Sequence, residues 1–131
     1  MTKEKQKILS TPFGEKILKV YNYNSNSRLA IFIYEPDGEL WNDLTINLPE
    51  FFLSDIDEGF INGDYNTKEK NIVDYFKKIG IIKESYGLRN YNMGKYEYVK
   101  FDLDKLKEYD PDGIEKFYEK AQDIEKLDLY I

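Results

Sequence analysis

An α+β fold, an antiparallel sheet of about five strands with a central helix and C-terminal helices, is predicted by three patterns in the chain. Residues 13–48 hold strand-like runs divided by turn chemistry, residues 66–79 repeat apolar side chains at helical spacing, and residues 102–131 do so again on both sides of a Pro-Gly break. One domain spanning residues 1–131 is expected. It has a loose N-terminal arm over 1–12, an α+β scaffold over 13–101 and an acidic helical appendage over 102–131.

The first strand mixes Ile17, Leu18, Val20 and Tyr21 with polar neighbours and stops at Asn22-Tyr23-Asn24-Ser25-Asn26-Ser27, residues that hydrogen-bond tight backbone. Leu29-Ala30-Ile31-Phe32-Ile33-Tyr34 is apolar on both sides of the chain, as in a strand covered on two faces. Pro36-Asp37-Gly38 closes a hairpin, and Leu40, Leu44, Ile46 and Leu48 then mark a strand to residue 48. Asn66 with Glu69 reads as a capping box for a helix carrying Ile72, Val73, Phe76 and Ile79 and ending at Gly80. Ile81-Ile82 and Lys95–Phe101 read as two further strands joined by a loop holding Gly87, Asn90, Asn92 and Gly94. Asp102 or Asp104 starts a short helix, Asp110-Pro111-Asp112-Gly113 stops it, and Ile114, Phe117, Ala121 and Ile124 form the apolar stripe of the last helix.

The chain has no cysteine and no histidine, which removes thiolate and imidazole metal sites and every Ser-His or Cys-His mechanism. The start, Met1 to Leu9, has no apolar signal region, and no segment approaches the ~20 apolar residues of a membrane span. A cytoplasmic protein is expected. A net charge of −6 argues against a phosphate backbone as direct ligand. The acidity is regional: residues 102–131 carry ten acids against five lysines, and Glu50 to Asp64 holds five acids with no Lys or Arg.

Four groupings could carry chemistry. Glu108 to Glu119 places oxygen ligands at positions one, three, five and twelve of a calcium-like loop with Gly113 at six, yet Pro111 sits at four and Glu115 takes the apolar position. The simpler account is a helix-breaking turn. Asp55, Asp57, Glu58 and Asp64 could pair for glycoside hydrolysis, which needs two carboxylates about 5–10 Å apart, but nothing in the sequence predicts a cleft and solvated loop acids are the simpler account. Tyr86, Tyr91, Tyr96 and Tyr98 lie near Lys83, Arg89, Lys95 and Lys100 and suit base stacking, a protein interface or ordinary sheet packing. Glu115, Glu119 and Asp123 fall at i, i+4 and i+8, about 6 Å apart on one helix row, close to the phosphate spacing of a nucleic-acid strand. Lys116 and Lys120 flank that row, and an ordinary amphipathic helix accounts for it too.

Arg28-Leu29-Ala30-Ile31-Phe32-Ile33-Tyr34-Glu35-Pro36-Asp37-Gly38-Glu39, continuing through Leu44-Thr45-Ile46-Asn47-Leu48-Pro49-Glu50, resembles a small bacterial family of unknown function found on phages, plasmids and conjugative elements. Phe60-Ile61-Asn62 and the helix near 72–79 are similar to its later parts. The resemblance covers roughly residues 13–101, leaves the segment from Asp102 as an addition and brings no catalytic residues. It implies a setting, since small acidic proteins of mobile elements are often inhibitors of host defence, anti-CRISPR and anti-restriction proteins among them.

The expectation is therefore a non-enzymatic interaction protein with no cofactor and no metal. Its partner would be a basic host protein that handles nucleic acid, such as a Cas effector, met through Asp112, Glu115, Glu119 and Asp123 with help from Asp55, Asp57 and Glu58. The rivals are a small hydrolase or ligand-binding domain using Asp55–Asp64, or a structural accessory module.

Overall fold

A computed structural model of the chain describes residues 7–62 and 68–128, with side chains described over 7–62 and 72–121. The described residues form a mixed α+β structure of eight strands and three helices. Strands β1 (Ile8–Thr11), β2 (Gly14–Asn22), β3 (Leu29–Tyr34) and β4 (Leu40–Asp43) form an antiparallel meander in that order. Strands β5 (Thr45–Ile46), β6 (Glu58–Ile61), β7 (Ile82–Tyr91) and β8 (Gly94–Phe101) form a second antiparallel sheet in the order β5-β6-β8-β7.

The run read as one strand from Leu40 to Leu48 is divided between the two sheets. Leu44 donates its N–H to Ile31 (2.9 Å) while its carbonyl accepts from Asn62 (2.8 Å), so its backbone belongs to both ladders. Thr45 seals the crossing by accepting the Ile31 N–H at its hydroxyl (3.1 Å). Period-two alternation reports which way side chains point, not which strand lies alongside, and this is why the switch is invisible in the pattern.

Two further expectations are corrected. The arm is not loose at 8–11: β1 pairs with Gly14–Ile17 around a Pro12-Phe13 turn, Leu9 is buried, and Tyr75 donates to the Ser10 carbonyl (2.6 Å). Burial of Leu9 and the ladder outweigh the charged run before it; residues 1–6 lie outside the described residues. The loop expected from Gly87 onward is strand up to Tyr91, and the turn is confined to Asn92-Met93, with Asn92 at φ 54°. Gly87 (φ 92°) sits in a bulge where Tyr86 and Gly87 together face Tyr98.

Helix α1 (Lys68–Lys78) buries Ile72, Val73 and Phe76 and ends at Gly80, whose φ of 88° suits the left-handed stop. Its proposed cap, Asn66, lies outside the described residues, as does the side chain of Glu69. Helix α2 (Leu103–Tyr109) is capped by Asp102, which accepts from the Lys105 N–H (3.1 Å). Helix α3 (Pro111–Asp128) follows after the single residue Asp110.

The segment from Asp102 is not an appendage. Leu106, Ile114, Phe117 and Ala121 are fully buried and join Leu18, Ile31, Ile33 and Phe76 in one hydrophobic cluster. Acid-rich composition on the outward face concealed how much of the core the inward stripe supplies.

Candidate functional site

The two acid-rich regions use their carboxylates differently. In the connection before β6, Glu58 is 3% exposed. It accepts hydrogen bonds from the Ser54 N–H and hydroxyl (both 2.8 Å), the Asp55 N–H (3.3 Å) and the Tyr98 hydroxyl. Burial pushes its carboxyl up, but the bonds from Tyr98, Ser54 and Asp55 together hold it below its ordinary value of 4.5. Asp57 binds Lys100 at 2.8 Å, and Asp55 lies 3.8 Å from the same amine. That bond to Asp57, against the opposing effect of burial, raises the Lys100 pKa. Glu50 accepts from the Tyr91 hydroxyl (3.1 Å).

Asp55, Asp57 and Glu58 thus clamp the loop to β8, and Arg28 fixes its start through the carbonyls of Leu48 (3.0 Å) and Phe51 (2.7 Å). The absence of Lys and Arg from Glu50 to Asp64 does not leave the segment uncompensated, because Lys100 arrives from 43 residues along the chain. The cavity touching Glu58 holds about 10 Å³, too little for a sugar ring. Asp64 lies outside the described residues.

Helix α3 keeps its described acids outside. Asp112, Glu115 and Glu119 are exposed. None of the three forms a hydrogen bond or ion pair among the described residues. At about 100° per residue they fall within roughly 60° of one another, opposite Ile114, Phe117 and Ala121. Lys116 and Lys120 occupy the flank toward β2, where a cleft of about 670 Å³ is lined by them with Lys19, Tyr21, Asp112 and Glu119. The other flank carries Tyr118, whose pKa is raised by burial and then by the charges of Asp104, Asp57 and Asp102. Acids of α2 and of the connection before β6 thus lie beside the Tyr118 flank, while Asp112 and Glu119 border the cleft toward β2. The side chain of Asp123 lies outside the described residues.

The calcium-like spacing resolves into helix caps. Positions 111–119 are helical, so no twelve-residue loop wraps a central point. Asp110 is 6% exposed and accepts the Gly113 N–H (3.2 Å) as the cap of α3, while its second oxygen accepts the Val20 N–H of β2 (2.8 Å). Gly113 is required by this contact, since a Cβ there would stand 2.1 Å from the Asp110 Oδ2 and 2.6 Å from the Val20 carbonyl. Among the described residues no group of three or more acids is placed to hold a metal ion. Asp110 was within reach of sequence reasoning through the Asp-Pro signature of a helix start; its tie to Val20 was not.

Three of the four tyrosines enter ring contacts, and Tyr96 enters none among the described residues. Tyr98 stacks on Phe60 (5.1 Å between centroids) and leans on Tyr86 (4.9 Å), and Tyr91 meets Phe51 edge-on (6.0 Å). The Arg89 guanidinium lies 5.1 Å over the Tyr98 ring and donates to the carbonyls of Tyr86 and Leu88 (both 3.1 Å), covering the bulge of the edge strand. These rings pack on one another and on the chain's own arginine.

Among the described residues no helix is long and apolar enough to cross a membrane. Comparison with curated proteins and with solved structures gives no match. Residues 17–121 match a family described as a domain of unknown function, DUF4313, and the match runs from β2 through most of α3. The acidic helices are thus part of the family's unit, and the chain belongs to the DUF4313 family.

Proposed function

We propose that this domain works by binding, and that the outward face of α3 is the surface with which it engages a basic protein. One observation carries the reading: Asp112, Glu115 and Glu119 stand in solvent with no partner among the described residues, whereas Asp55, Asp57 and Glu58 are consumed in holding the fold. Like charges at i, i+4 cost a helix a few tenths of a kcal/mol, and no ion pair among the described residues offsets that cost. The mimicry is narrower than the sequence proposed. It uses the α3 row, extended toward Asp102 and Asp104 across Tyr118, and excludes the loop acids.

The resemblance to proteins of mobile elements gives this surface its role, inhibition of a host defence effector that handles nucleic acid. A row of carboxylates would occupy lysines and arginines that otherwise hold phosphates, and long-range attraction would speed the encounter. The test is cleavage of target DNA by purified Cas effector complexes with the chain added, as wild type and as the double variant Glu115→Lys, Glu119→Lys. Inhibition by the wild type that the double variant loses is the expected result. Inhibition unchanged by the variant would remove the α3 row from the mechanism.

A further inference from the structure

The meander of β1–β4 buries one face and, among the described residues, leaves the other without a covering layer. Leu9, Leu18 and Ile33 on the inner face are 4%, 0% and 0% exposed, whereas Ile8, Tyr21 and Leu40 on the outer face are 47%, 43% and 56% exposed. The outer face is apolar in an ordered way. Ile8 is the register partner of Ile17, Ile17 of Tyr34, and Tyr34 of Leu40, so one apolar row crosses all four strands. Tyr21 packs against Phe32 at 5.5 Å. A solvated sheet face ordinarily alternates to polar residues, and a contiguous apolar strip marks a surface that another molecule covers.

The next row identifies that molecule. Lys19 is the partner of Phe32, and Phe32 of Asp43, so a cation on β2 and an anion on β4 flank a phenyl ring on β3. Neither Lys19 nor Asp43 takes part in an ion pair among the described residues. Two such faces brought together about a twofold axis lying along β3 exchange β2 for β4 while preserving the row. Lys19 then meets Asp43 of the other copy, Asp43 meets its Lys19, Ile17 meets Leu40, and Phe32 meets Phe32. Packed sheets stand about 10 Å apart, within the combined reach of a lysine and an aspartate side chain.

We infer that the outer face of the β1–β4 sheet is an isologous dimer interface whose occupant is a second copy of this chain. The charge pattern is antisymmetric about β3, which is what self-recognition through a twofold axis requires. With the axis along β3 the strands β2, β3 and β4 overlap while β1 with Ile8 lies outside. The overlap spans about 10 Å across the strands and about 20 Å along them, below the area of a standard stable interface, so association is weak and depends on concentration. Lys19 and Tyr21 also line the cleft beside α3, but Ile8, Ile17, Tyr34, Leu40 and Asp43 do not, so loss of the dimer on Leu40→Ser would leave the binding role of that helix untouched.

Sedimentation equilibrium of the full chain over a wide concentration range tests it. A reversible monomer–dimer equilibrium is expected. Lys19→Asp alone and Asp43→Lys alone should each weaken it about tenfold or more. An equimolar mixture of the two variants should recover a heterodimer, because every facing pair is then opposite in sign. Leu40→Ser, an exposed substitution that leaves the core intact, should weaken the dimer independently of charge. A chain that stays monomeric throughout overturns the inference. So does a dimer indifferent to Lys19→Asp and Leu40→Ser, or a mixture of the charge variants that fails to associate.

Discussion

Two stretches of this chain are comparably acidic in sequence and opposite in use. The connection before β6 turns Asp57 and Glu58 inward, onto Lys100, Ser54 and Tyr98, and owes its shape to them. Helix α3 turns Asp112, Glu115 and Glu119 outward, and its shape comes from Ile114, Phe117 and Ala121 on the opposite side. A carboxylate in the first region is a structural part. In the second it is available to a partner. Local charge density cannot separate the two, because the distinction lies in what the rest of the chain brings alongside.

The sharpest way to break this comparison is at its exception. Asp110 belongs to the acidic C-terminal segment but is buried and bonded like the loop acids, so its neighbourhood should respond as a structural part. Gly113→Ala, which drives a methyl into the Asp110 carboxylate and the Val20 carbonyl, should cost about 3 kcal/mol, read as a lower urea midpoint. A change below a few tenths would mean that α3 can shift away from β2 without loss. Glu58→Ala comes next at about 2 kcal/mol, because it strands the Ser54 and Asp55 N–H groups and the Tyr98 hydroxyl. An unchanged midpoint would place this carboxylate with the outward acids.

A smaller effect follows from pH. Glu58 is held below its ordinary 4.5, so its contribution is complete above that value and is lost as the pH falls through the lower folded one. Stability of the wild type should therefore decline more steeply below pH 4.5 than that of Glu58→Gln, in parallel acid titrations followed by circular dichroism. Superimposable curves would show that the hydrogen bonds do not favour the ionised form. The smallest effect is expected on α3. Glu115→Gln with Glu119→Gln should leave the midpoint within about 0.5 kcal/mol of wild type, or raise it slightly by relieving like charges. A loss comparable to that of Glu58→Ala would show that the row is structural after all.

Local chemistry was legible in the sequence. Gly80 after Ile79, Asp102 before Leu103 and the stripe of Ile114, Phe117 and Ala121 each announce their element through φ preference, side-chain capping or periodicity. Long-range partnership was not. Nothing near Leu44 says that its N–H and carbonyl belong to different sheets, and nothing near Asp57 says that Lys100 will neutralise it. Nothing near Tyr86 says that Arg89 will cover the adjoining carbonyls. The strand β1 was missed because a charged run outweighed two apolar residues whose value depends on a neighbouring strand. The candidate site suffered in the same way: Glu58 and Glu115 are chemically alike, and only tertiary packing decides that one is a clamp and the other a contact.

The pair of hydrogen bonds that Asp110 accepts, from Gly113 at the head of α3 and from Val20 within β2, has a mechanical consequence. It joins residues 90 positions apart, so the helix is moored to the sheet at its first turn. A partner that grips the outward carboxylates and pulls would transmit part of the load through this side chain into the middle of β2, the rest passing through the bond from Asn22 to the Phe117 carbonyl and the packed core. Tension on α3 would thus be felt in the strand that also carries Lys19 and Tyr21, and the helix end nearest Asp110 would be the last part to peel away.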